Sequence, residues 1–132
     1  MKNLEALCAQ YGYEIVKRCA PSLKLSKRDK AKLENTITKS LGVLQEEGMY
    51  ACFLFLDYIQ ERKESYGAAD IAAQAKVLLR HESVKLLGAG SDDFQALRQL
   101  SEDLDSLLLA RQLLEQALIY ARYHAKALKE SP

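Results

Sequence analysis

The sequence has few residues that interrupt helices. Its 132 residues include two prolines, six glycines and no tryptophan. Because proline and glycine are the residues that most often break helices and form turns, most of the chain is free to be helical. No apolar run approaches the roughly 20 residues that a membrane-spanning helix needs. We therefore expect a protein without a membrane segment.

Cysteine is also scarce. Cys8, Cys19 and Cys52 are odd in number, lie far apart and form no C-x-x-C motif. This pattern favours reduced thiols over a disulfide framework or a zinc site. In addition, the opening residues 1–7 include an acid where a signal peptide has an apolar segment. Both features predict a cytoplasmic protein.

Motifs of catalysis and cofactor binding are missing as well. The pair His81-Glu82 begins like the zinc motif H-E-x-x-H, but lysine occupies position 85. The sequence contains neither G-x-x-x-x-G-K-[ST] nor G-x-G-x-x-G. The acids of segment 102–105 diverge around a helix and are better interpreted as a solvated face than as a metal site. We expect no enzymatic activity, no metal and no cofactor.

Apolar residues recur at helical spacing along most of the chain. The first such segment is 3–19, which Pro21 ends. A second helix runs from an N-cap at Ser26 to about Glu47, and the strongly apolar segment 49–64 forms a third. No alternation typical of β-strands competes with these periods.

The C-terminal part carries the clearest periodicity. A fourth helix, 69–87, is followed by a glycine-containing turn, and Ser91 caps the last and longest helix. In that helix apolar residues alternate at spacings of three and four, which is a heptad seam. Its positions are leucine or alanine except Arg111: 97, 100, 104, 107, 111, 114, 118, 121, 125 and 128. The sequence predicts one all-α domain over 1–132, a compact bundle of five to six helices with a long C-terminal helix.

The second helix opens with an unfavourable charge distribution. A helix N-terminus carries a partial positive charge and favours acids, yet its first turns, in the stretch SKRDKAKLEN, contain four cations. At ~100° per residue, the core positions Leu33, Ile37, Leu41 and Leu44 face one way. The opposite side carries a strip about 16 Å long, from Arg28 through Lys32 and Asn35 to Lys39. Lys24 and Lys27 extend this strip at one end. We call these residues the basic strip: Lys24, Lys27, Arg28, Lys32, Asn35 and Lys39.

A strip of this kind can follow the phosphates of a nucleic acid without choosing among bases. The alternative, a basic face that contacts only solvent, fits these residues about equally well. A second basic row, Arg122, Lys126 and Lys129, lies on the last helix. It is weaker evidence, because cations are favoured at a helix C-terminus in any case.

Some of the seven tyrosines could stack on a base. Four of them sit among apolar residues and are expected in the core or at its edge: Tyr11, Tyr50, Tyr58 and Tyr120. The others are candidates for exposure: Tyr13, Tyr66 and Tyr123.

Two segments resemble a known family. The run Ala117-Leu-Ile-Tyr-Ala-Arg-Tyr-His-Ala-Lys-Ala-Leu128 resembles the closing helix of the small subunit of type III CRISPR effector complexes, the Cmr-type branch. The segment 41–56 is similar to that family's pairing of an amphipathic helix, a glycine and a strongly apolar helix. Tyr123 stands where family members usually have tryptophan, and Ala125-Lys126 where they have a Lys-Arg pair.

The resemblance implies a non-catalytic subunit that stacks head to tail with copies of itself along the complex and acts in antiviral defence. Its partners would be the backbone subunits of the effector complex, further copies of itself, and crRNA and target RNA through phosphate contacts. The lysines and arginine of the basic strip would line the RNA, and Arg122 and Lys126 would add to this surface. The alternative is a helical protein–protein interaction module, such as a homodimer formed through the heptad seam, without RNA binding.

Overall fold

The structure, a computed structural model, describes residues 4–19, 25–62, 65–88 and 92–130, and all regular elements in these ranges are α-helices. They are α1 (Glu5–Cys19), α2 (Lys27–Glu47), α3 (Met49–Ile59), α4 (Ala68–Arg80), α5 (Asp93–Ser101) and α6 (Leu104–Glu130). The predicted all-α bundle with a long C-terminal helix is confirmed. None of the described helices combines the length and apolar character that crossing a membrane requires.

Helix α6 lies between α1 and α2 and packs most extensively against these two. It runs parallel to α1, because Cys8 contacts Leu113 while Tyr13, further along α1, contacts His124. It runs antiparallel to α2, because Lys129 near its end reaches Glu34 in the first half of α2. The N-terminus of α2 and the C-terminus of α6 therefore lie at the same end of the bundle.

The contact between α1 and α6 depends on a glycine. Gly12 is buried, and a Cβ atom placed on it would lie 2.7 Å from the carbonyl oxygen of Ala117 and 2.7 Å from the Cβ atom of Tyr120. Ala117 and Ala121 on the facing side are small and buried. Only residues of this size let the two helix backbones approach so closely.

Helix α2 begins and ends where the sequence predicts. The Ser26 side chain accepts a hydrogen bond from the Asp29 backbone N–H at 3.1 Å, which is an N-cap. At the other end Gly48 has φ +99° and donates its N–H to the carbonyls of Val43 and Leu44. Glycine adopts this backbone conformation without strain. The predicted core positions of α2 are all buried: Leu33, Ile37, Leu41 and Leu44.

Two helices are shorter than predicted. Helix α3 ends at Ile59 rather than near 64, because the chain turns there and Ser65 donates its hydroxyl to the Ile59 carbonyl at 2.6 Å. Helix α4 ends at Arg80 rather than near 87, and the following segment folds back. The N–H groups of Leu86 and Leu87 both donate to the carbonyl of Leu79, which buries Leu87.

The last helix is also interrupted, so the prediction of one uninterrupted C-terminal helix is wrong. Helix α5 ends at Ser101, and the Asp103 carboxylate accepts a hydrogen bond from the Ser106 N–H at 3.2 Å at the start of α6. The break turns Leu104 outward, to 65% exposure, although it occupies a seam position. The predicted cap Ser91 lies outside the described residues, and Asp92 caps α5 by accepting from the N–H groups of the next turn.

Helices α4 and α5 are tied together by ion pairs. The Asp93 carboxylate lies 3.0 Å from Lys76 Nζ and 2.6 Å from the Arg80 guanidinium. Hydrogen bonds from Arg80 and then from Lys76 lower the pKa of Asp93 below its usual value. These contacts hold the N-terminus of α5 against α4.

Gly12→Ala tests the close approach of α1 and α6. The added methyl group meets backbone and a Cβ atom, neither of which can move freely. We expect a loss of about 1–3 kcal/mol in the free energy of unfolding, measured by chemical denaturation. Gly42→Ala is the matched control, because Gly42 lies inside α2 with open space around it. There alanine should stabilise by about 0.5–1 kcal/mol. Equal effects of the two substitutions would contradict this packing.

Candidate nucleic-acid interface

The basic strip lies on the side of α2 that faces away from the core. Lys27, Arg28, Asn35 and Lys39 are exposed, and Lys32 is half-buried. Within the described residues, no ion pair involves Lys27, Arg28 or Lys39. These three cations are therefore available to a polyanion. Lys24 lies outside the described residues, so its position on this surface stays a prediction.

One cation of the opening turns does not belong to the surface. Lys30 is only 5% exposed and lies on the core side of α2. Fewer cations are therefore exposed at the N-terminus of α2 than its sequence alone suggests.

The second basic row lies along the seam between α2 and α6. Lys126 Nζ is 3.9 Å and Lys129 Nζ is 3.1 Å from the carboxylate of Glu34, whose side chain is 18% exposed. Arg111, further along the same side of α6, donates to the carbonyl of Gln45. At ~100° per residue, Arg122 also faces α2, and its Nε atom is buried without a hydrogen-bond partner among the described residues.

The basic strip of α2 and the second basic row of α6 differ in their contacts with acids. Two acids of α2, Asp29 and Glu34, lie close to the strip in sequence, and Glu34 is engaged by lysines of α6. Lys126 and Lys129 are thus partly neutralised, whereas no ion pair in the described part of the chain involves Lys27, Arg28 or Lys39. A role of Arg122 and Lys126 in binding RNA stays a prediction.

A groove adjoins the strip between α2 and α3. We call it the α2–α3 groove; its volume is about 460 Å³. Asn35 and Lys39 of the strip form one wall, and the other wall includes Phe55, Tyr58 and Arg62. The Arg62 guanidinium carbon lies 4.4 Å from the centroid of the Tyr58 ring, and the guanidinium also donates to the tyrosine hydroxyl. This is a cation–π contact.

The expectation that Tyr58 lies in the core or at its edge is wrong, since 67% of its surface is exposed. The apolar residues Phe53 and Leu56, close to it in sequence, are buried on the core side of α3 instead. The spacing of Tyr58 and Arg62, four residues apart, is the signal in the sequence that could have indicated contact between the two side chains. Tyr13 and Tyr123 are exposed as predicted. Tyr66 is half-buried and donates its hydroxyl to the Cys19 carbonyl at 3.1 Å.

The cysteines are buried and poorly suited to nucleophilic chemistry. Burial raises the pKa of Cys8 to about 11 and the pKa values of Cys19 and Cys52 to about 12. A thiol with so high a pKa holds its proton at neutral pH, whereas a nucleophile needs the thiolate. Among the described residues, no three histidine, cysteine or acidic side chains gather where they could hold a metal ion.

The directions of the helices separate charge along the bundle. The end formed by the C-terminus of α2 and the N-terminus of α6 carries exposed acids: Glu46, Glu47, Glu102, Asp103 and Asp105. The opposite end carries exposed cations, Lys17, Arg18, Lys27, Arg28 and Lys129, and the exposed acid Glu130. The net charge of +1 therefore hides an uneven distribution of exposed charge along the bundle.

The comparisons with known proteins complete this description. No family model matches the chain, and neither the curated proteins nor the solved structures contain a match to it.

Glu34→Gln tests whether Glu34 holds the α6 lysines away from a polyanion. We expect Lys126 and Lys129 to become available, so that the variant elutes from a heparin column at higher salt than the parent protein. The loss of stability should stay within about 1 kcal/mol, as for surface ion pairs. Glu82→Gln changes the net charge equally, but Glu82 is exposed and takes part in no ion pair in the described part of the chain. Co-elution of the two variants would contradict the role of Glu34.

Proposed function

We propose that the protein is a non-catalytic small subunit of a type III CRISPR RNA-guided effector complex, acting in the cytoplasm in antiviral defence. It contacts the backbone of the guide–target RNA through the basic strip. One observation carries the RNA-binding part of this proposal: Lys27, Arg28 and Lys39 are exposed and hold no acid within the described residues. The assignment to this complex rests on the resemblance of the segments 41–56 and 117–128.

The mechanism is electrostatic. Each phosphate neutralised by a lysine or arginine releases condensed counterions, so binding does not depend on sequence and weakens as salt rises. Contacts of this kind position a protein on a nucleic acid but do not read bases. In a guide-directed complex, base pairing between guide and target supplies the sequence specificity. The subunit therefore needs to provide only a surface of the right charge.

We also propose that copies of the chain stack head to tail along the complex, and the uneven distribution of charge along the bundle supports this. The acidic end of one copy is complementary to the basic end of the next. Such complementarity favours a head-to-tail orientation and disfavours contacts between like ends. Further copies of the chain are thus proposed partners, together with the backbone subunits.

Reversing two charges of the basic strip tests RNA binding. In Arg28→Glu/Lys39→Glu, we expect the affinity for RNA to fall at least about tenfold in fluorescence anisotropy. The slope of log K against log salt should become less steep by about 1.4–1.8, at ~0.7–0.9 per lost phosphate contact. Both side chains are exposed, so the fold should survive.

The charge-matched control is Lys85→Glu/Arg98→Glu. These cations are exposed and lie outside the strip, one after α4 and one on α5. If only the net charge of the protein mattered, both double variants would lose RNA affinity equally. That result, or an unchanged slope in Arg28→Glu/Lys39→Glu, would contradict the strip as the RNA site.

A protein–protein interaction module is the second candidate, and exposed leucines favour it. Leu104, Leu108 and Leu109 expose 65%, 53% and 38% of their surface near the start of α6. The heptad seam proposed for a homodimer is not available, because its later positions are buried inside the bundle: Leu114, Leu118, Ala121, Ala125 and Leu128. A self-association contact would therefore use the exposed leucines instead.

Sedimentation tests this candidate. If the leucines form an interface, Leu104→Gln/Leu108→Gln should lower the mass of the protein in solution to that of a monomer. Leu54→Gln is the control, because Leu54 is exposed to a similar degree on α3. A parent protein that sediments as a monomer and binds RNA would exclude the interaction module.

A further inference from the structure

The described residues that line the α2–α3 groove carry positive charge. They include Lys39 and Arg62, and none of them is an aspartate or glutamate. Asp57 is the acid of α3 that precedes Tyr58, and it lines a different cavity together with Lys76 and Phe94. The groove is therefore complementary to an anion.

Its surface is also partly aromatic. Phe55 and Tyr58 line the same wall, and Tyr58 keeps 67% of its surface exposed although Arg62 contacts the ring. An exposed aromatic ring beside cations is the combination with which proteins bind single-stranded nucleic acids. The cations hold the backbone, and the ring stacks on a base. Arg62 can take part in both, because its planar guanidinium stacks on rings and bases and pairs with phosphates.

We propose that the α2–α3 groove holds one unstacked base of a single-stranded RNA against the Tyr58 ring, with an adjoining phosphate on Lys39. This inference rests on the proposed function and adds the form of nucleic acid that the surface prefers. Lys39 belongs both to the basic strip and to the groove, so one strand can run along the strip and insert a base beside it. Asn35, at the same wall, offers a donor and an acceptor to the edge of that base.

A duplex cannot use the groove in this way. In A-form RNA the bases are stacked and paired, and proteins contact chiefly backbone, 2′-hydroxyls and groove shape. The strip should therefore bind a duplex and a single strand alike, whereas the groove should add affinity for the single strand only.

The experiment compares a labelled single-stranded RNA with a duplex of the same sequence by fluorescence anisotropy. In Tyr58→Ala we expect single-strand affinity to fall about 5- to 160-fold, the range for one stacked base, with duplex affinity unchanged. Tyr58→Phe should retain single-strand affinity, since it keeps the ring. Tyr123→Ala should change neither, although Tyr123 is exposed to a similar degree on α6.

A second measurement detects the stacking itself. The fluorescence of 2-aminopurine placed in the single strand should change on binding to the parent protein and to Tyr58→Phe, but not on binding to Tyr58→Ala. Tyr58→Ala with parental single-strand affinity, or with equal losses for single strand and duplex, would overturn the inference and leave the strip in place. A parent protein that binds neither RNA would overturn both proposals.

Discussion

A single helix, α6, buries its apolar side against α1 and α2 at once, and the directions of these two neighbours determine where the charges of the bundle lie. The parallel approach of α1 requires the absence of a side chain at Gly12. The antiparallel approach of α2 brings its N-terminal cations to the end where α6 finishes with lysines. The cations and the acids therefore gather at opposite ends without any bias in the composition of the whole chain.

The same packing explains why three cations of the strip, Lys27, Arg28 and Lys39, form no ion pair with the described residues. Helix α2 presents its apolar residues to the core, and its one acid close to α6, Glu34, faces two lysines there. The strip points in the remaining direction, toward solvent and the α2–α3 groove. Cations near a helix N-terminus cost up to about 1 kcal/mol each at low salt. Asp29 of the first turn is favourably placed. No ion pair among the described residues involves Lys27 or Arg28, however, and a bound phosphate would supply their counter-charge.

Local signals in the sequence were sufficient for the features that local chemistry determines. The N-cap at Ser26 and the stop at Gly48 each depend on one residue type, and the buried side of α2 follows from helical periodicity. The break between α5 and α6 could not be predicted from periodicity, because the heptad pattern continues through it. Only Asp103, a good N-cap residue, marked the new start. The exposure of Tyr58 depends on which side of α3 meets the core, and that is a property of the whole bundle.

The strip and the groove would contribute to RNA binding through different physical terms. Phosphate contacts made by Arg28 and Lys39 derive their free energy largely from released counterions, so they weaken steeply as salt rises. Stacking on Tyr58 buries apolar surface and depends little on salt, since no ion is displaced by the ring itself. Raising the salt should therefore weaken the phosphate contacts of the strip before it removes the preference of the groove for single strands. A surface built from both terms can hold a strand loosely along its length and still anchor it at one base.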